Sequence, residues 1–127
     1  MTTRRQVLAV AVVGVFMVAS PLFAHHTWSV DRTRPVTVKG TVTGLNWANP
    51  HVEILVDAKD DNGNVEKWIV GGPSPNRLTE SGLNKNVLKP GDNITAVGYR
   101  ATDGSRLLRT ETIALSNGQT LVFYGNR

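Results

Sequence analysis

The chain has no cysteine. That excludes disulfides, a thiolate metal site and a lipid-anchored cysteine. Its two methionines, Met1 and Met17, both fall in the first seventeen residues, so nothing after Met17 carries sulfur. A metal bound by the rest of the chain must use nitrogen and oxygen donors, which excludes a thioether Cu(I) site within one copy. Like charges never run to five or six in a row, which is where a charged tail would show. Large aromatics are few: three Trp, two Tyr and three Phe in 127 residues.

What is present begins with an export signal. Arg4 and Arg5 precede an uncharged apolar run from Val7 to Ala19, Ser20-Pro21 breaks it, and Leu22-Phe23-Ala24 ends in a small residue. This is the three-part pattern of a cleavable signal peptide over residues 1–24. The run falls short of the roughly 20 apolar residues of a membrane span, so no span is expected after cleavage. The paired arginines suit either the general or the twin-arginine route, and the location implied is periplasmic or secreted. Two of the fourteen basic residues leave with the signal, so twelve face ten acidic ones. The high isoelectric point therefore owes much to the signal, and no nucleic-acid footprint is read from it.

Residues 25–127 are the length of one domain. Residues 25–35 read as an N-terminal arm and 36–127 as the domain proper. Val36, Val38, Gly40, Val42 and Gly44 alternate with Thr and Lys, the period-two signature of a strand, extended by Leu45-Asn46-Trp47. Asn49-Pro50 turns the chain into a second strand, His51 to Lys59. Asn62-Gly63 supplies a hairpin turn, and Val65 to Val70 is the third strand. Ser74 or Pro75 starts a short helix to about Ser81, and Asn84 to Leu88 is read as a second helical turn. Strands follow at Ile94 to Tyr99, Leu107 to Leu115 and Gln119 to Tyr124. This order predicts an all-β fold: a small antiparallel OB-like barrel of five or six strands with one short helix between strands 3 and 4. A half-open sandwich has the same element order.

Candidate chemistry concentrates in three histidines. Cleavage after Ala24 would make His25 the first residue, with a free α-amine beside its own imidazole. An amine and a ring Nδ1 on one residue chelate a metal, and a third nitrogen completes a T-shaped histidine brace suited to Cu(II). His51 is the expected third ligand if the arm crosses the barrel mouth, and His26 is the substitute. The plainer reading leaves His25 and His26 solvated and uses His51 to fix the turn by hydrogen bonding. Trp28 and Trp47 are candidate ligand-face aromatics, whereas Trp68 alternates with the core face.

No catalytic residue is assigned. The serines lack a nucleophile-elbow context. Asp60-Asp61-Asn62-Gly63-Asn64 lacks the distal Glu of a calcium loop, and Gly71-Gly72-Pro73 lacks the Lys-Ser/Thr of a phosphate loop.

Several segments together resemble a family of small exported bacterial proteins catalogued only as a domain of unknown function. They are His25-His26-Thr27-Trp28-Ser29, Val38-Lys39-Gly40-Thr41-Val42, Trp47-Ala48-Asn49-Pro50-His51, Asp60-Asp61-Asn62-Gly63, Gly72 to Leu78, and Leu88-Lys89-Pro90-Gly91-Asp92. Members of that family more often carry Ser where this chain has Thr27. The resemblance implies an envelope location and no particular reaction.

The functional expectation is a periplasmic module that binds Cu(II) as carrier, chaperone or accessory to a redox enzyme. The alternative is a metal-free OB-like module for a protein or glycan partner in the envelope, and an enzyme ranks last. The exported protein should begin at His25 by intact mass. A start at Thr27 or later, or an uncleaved chain in the membrane, would contradict the signal reading.

Overall fold

A computed structural model describes residues 28–124. The signal segment and both His25 and His26 lie outside the described residues. Six strands and one short helix follow in the order β1 (Val30–Asn46), β2 (Glu53–Lys59), β3 (Val65–Gly71), α1 (Pro75–Glu80), β4 (Asn93–Ala101), β5 (Leu107–Leu115) and β6 (Thr120–Val122). All pairings are antiparallel except β3 with β5. The neighbours run β3-β2-β1-β4-β5-β6, and the β3–β5 pairing closes five of the strands into a ring. This is the OB-like order that the sequence predicts.

The long strand β1 makes the ring possible. Its first half pairs with β4 and its second half with β2, and Gly40 pairs with both Ile94 and Ala58. A Cβ at Gly40 would overlap the Asp57 carbonyl, so the handover between partners needs a residue without a side chain. A register shift between Val42 and Gly44 bends the strand further.

Strand boundaries follow local chemistry. Asp60 Oδ1 accepts from the backbone N–H groups of Asn62 and Asn64 at 2.8 and 2.9 Å, and Gly63 adopts φ +81°, so the hairpin forms as its sequence predicts. Ser74 caps α1 through its side chain to the Arg77 N–H, with Pro75 opening the helix.

Two sequence expectations fail. Asn84 to Leu88 is a turn held by the Val87 N–H on the Asn84 carbonyl, not helix. Leu88 is buried there, and Pro90 two residues on favours extended backbone before it. Strand β1 also starts at Val30, six residues before the apolar alternation. Residues 31–35 are exposed, so no core face marks them as strand.

The core fills the ring with the inward residues of each strand: Val38 and Val42, Ile54 and Val56, Trp68 and Val70, Ile94 and Ala96, Leu108 and Ile113. Leu78 of the helix, Leu88, Leu121 and Phe123 join the same cluster. Trp68 is buried as expected. No described helix is long and apolar enough to cross a membrane.

Truncating Ile113, which is wholly buried, should cost about 2–5 kcal/mol when made Ala, through lost transfer energy and a residual cavity. Leu55, which is 41% exposed, should change stability by no more than about 0.5 kcal/mol on the same truncation. Urea unfolding midpoints measure both; equal effects would contradict this assignment of the core.

Candidate functional site

Alternation in β2 decides where His51 points. Val52, Ile54 and Val56 are buried, so the residues between them face outward. The Val52 N–H donates to the Pro73 carbonyl at 2.9 Å and its carbonyl accepts from the Gly72 N–H at 2.8 Å. These bonds carry the β2–β3 ladder past its last strand residues and hold His51 on the outer face, just beyond the Asn49–Pro50 bond, which is cis.

Gly71 ends β3 on the same outer face. A Cβ there would overlap the six-membered ring of Trp28, so the glycine is the seat on which this indole lies. From that seat Trp28 meets His51 edge to face, with ring centres 4.6 Å apart and planes at 64°. Its Nε1–H donates toward the imidazole, 3.0 Å from Nε2 and 3.3 Å from Nδ1. Trp28 is half-buried, as is His51.

Arg109 enters beside them. In the parallel β3–β5 register it sits opposite Gly71, and since Leu108 and Thr110 are buried it too faces outward. Its guanidinium lies 3.7 Å from the centre of the Tyr124 ring and pairs with the Glu111 carboxylate. Arg77, from α1, stands 5.6 Å from the same ring. Burial pushes the Tyr124 phenol above its ordinary value, against the opposing pull of Arg109 and Arg77. The hydroxyl thus remains a donor throughout the physiological range. Arg32, on the exposed start of β1, completes a pocket of about 350 Å³ with Trp28, His51, Arg77, Arg109 and Tyr124.

Of the residues singled out in the sequence, the fold brings Trp28 and His51 together. Trp47 is half-buried against the core and does not line this pocket. Among the described residues no three His, Asp or Glu side chains gather as a metal site. The three arginines carry no sequence signal as a group. They lie far apart along the chain and meet only through the ring closure.

The profile of a family of unknown function, DUF6152, matches residues 12–109. The chain belongs to this family. The matched region contains β1 to β4, the helix, Trp28 and His51. It stops at Arg109, so Tyr124 lies outside it. No functionally curated protein matches the chain. Among solved structures, the mitochondrial single-stranded DNA-binding protein Rim1 of S. cerevisiae is similar at 10% identity with a TM-score of 0.48, covering 65% of this chain and 94% of that one.

The seat makes a specific demand. Gly71→Ala should lift Trp28 from His51 while leaving the buried core intact. The imidazole proton resonances of His51 should move to the positions they take in Trp28→Ala, with the unfolding midpoint changed far less than by Ile113→Ala. Unmoved His51 resonances would mean that Gly71 does not set the Trp28–His51 contact.

Proposed function

We propose that this protein is an exported metal-binding module of the cell envelope, taking Cu(II) as carrier, chaperone or accessory to a redox enzyme. The observation that supports this reading is the contact of Trp28 with His51. It ties the chain three residues after His25 to the histidine expected to share its metal. At about 3.3–3.6 Å per residue, His25 starts within roughly 10 Å of Trp28. The proposed ligands are the α-amine and ring of His25 and the ring of His51, with His26 as the substitute third ligand. All are nitrogen donors, and Cu(II) heads the affinity order for them.

Two features oppose a cation here, and both are small beside coordination. A neutral imidazole has one ring lone pair, and the Trp28 N–H competes for it. Losing that hydrogen bond costs about 0.5–1.5 kcal/mol. Arg32 and Arg77 are exposed, so water and salt screen their repulsion, and Arg109 is paired with Glu111. For scale, structural Zn²⁺ in zinc-finger peptides binds with on the order of 10–16 kcal/mol.

Three proteins test the reading: the chain starting at His25, the same chain with one added N-terminal Gly, and His51→Ala. The added Gly moves only the α-amine. Cu(II) titration with electron paramagnetic resonance should show at least tenfold weaker binding and an altered spectrum for the second and third. Because amine and imidazoles must be neutral to bind, affinity should also fall as pH drops below about 6.5. Identical affinity and spectra in all three would replace this reading with the metal-free module for an envelope protein or glycan.

A further inference from the structure

The pocket beside His51 has a property that metal binding does not use. Three arginines, Arg32 on β1, Arg77 on α1 and Arg109 on β5, line it, with the Arg32 guanidinium also 5.8 Å from the centre of the Tyr99 ring, and no carboxylate is among its described lining residues. Among the described residues Glu111 forms an ion pair with Arg109 alone. With His51 neutral, the group carries a net charge of about two positive units at neutral pH. Arg77 and Arg109 both stand against the Tyr124 ring, so two like charges are held close by one aromatic side chain. Arg109 is only 17% exposed, which limits the water that can screen it.

Such an arrangement is complementary to a dianion. A phosphate monoester carries about 1.5 to 2 negative charges at pH 7 and offers three acceptor oxygens, one toward each arginine. A single carboxylate would leave half the charge unbalanced. Tyr124, whose phenol burial keeps protonated, lines the same pocket. The pocket, at about 350 Å³, sits at the small end of the ligand-pocket range of about 300–1,000 Å³. Trp28 and Tyr124 supply aromatic walls for an organic substituent.

We infer that the pocket of Arg32, Arg77, Arg109 and Tyr124 binds the phosphate group of a small phosphate monoester. Its ligand requires neither a metal nor the His25 amine, so the inference does not rest on the copper reading, although His51 lines the same pocket.

The test uses the full chain as the cell produces it, stripped with a chelator and kept at constant ionic strength. Glycerol 3-phosphate, inorganic phosphate, acetate and chloride are each titrated by calorimetry and followed by amide resonance shifts. Glycerol 3-phosphate should saturate one site at least tenfold more tightly than acetate or chloride. Inorganic phosphate binding as tightly as the monoester would overturn the organic part of the assignment and make free phosphate the ligand. Arg32→Gln and Arg77→Gln should each weaken glycerol 3-phosphate tenfold or more. Arg106→Gln, which lies off the pocket and pairs with Glu66, should leave it within twofold. The chain with one added N-terminal Gly, which displaces only the α-amine of the proposed copper site, should retain phosphate binding within threefold. Loss of copper binding with phosphate retained therefore bears on one site only. Binding unchanged in Arg77→Gln, or acetate equal to phosphate, overturns the inference.

Discussion

Three residue pairs close the ring: Ile69 with Leu107, Val70 with Leu108 and Gly71 with Arg109, in parallel. Parallel neighbours cannot be joined by a tight turn, so the helix and β4 lie between them in sequence. The middle pair, Val70 and Leu108, is completely buried and anchors the closure in the core. The last pair then faces outward by alternation, which sets Arg109 next to a glycine that carries an indole. Without this short ladder β3 and β5 would be two open edges, with unpaired N–H and C=O groups to cover. The same ladder therefore keeps the core shut and assembles the wall of the pocket.

The polar outer face depends on the apolar inner one. His51 is held outward because Val52 is buried and both of its backbone groups are bonded to the end of the β3 segment. Trp28 can approach because Gly71 has no side chain, and a large apolar surface gains more by lying over a flat backbone than by standing in water. The position of Trp28 is thus a consequence of sheet packing, with its hydrogen bond to His51 and the neighbouring Ser29–Thr102 bonds as links.

How much of this was legible follows from the range of each cause. Turns and caps are local, so Asn62-Gly63 and Ser74-Pro75 declared themselves, and β5 was read at its observed ends. The core face of β2 was equally clear from Val52, Ile54 and Val56. The start of β1 was not, because residues 31–35 carry no buried alternation, and of the stretch from Val30 to Pro35 only the two ends pair with β4, across a register shift. Asn84 to Leu88 was read as a helical turn where the chain only turns and buries Leu88. The approach of His51 to the N-terminal arm was read only as a conditional, and its pairing with Trp28 was not foreseen, since it needs the seat at Gly71. The arginine cluster was invisible: Arg32, Arg77 and Arg109 are ordinary exposed-face residues until β3 and β5 are known to be neighbours.

The electrostatics of the pocket bear on both readings of function. Metal ligands at His51 would be neutral, so a bound Cu(II) would keep its two positive charges beside three arginines that share its pocket. A dianion among those arginines would remove most of that repulsion, and the cation would in turn strengthen the hold on the dianion. Any such coupling is reciprocal, because each ligand must change the other's free energy by the same amount. The two sites need not be coupled strongly, since the exposed Arg32 and Arg77 side chains are already screened by solvent. Arg109 is the residue through which coupling would act most. It is the most enclosed of the three arginines, it is tied to the ring closure through its pairing with Gly71, and Glu111 offsets it only in part.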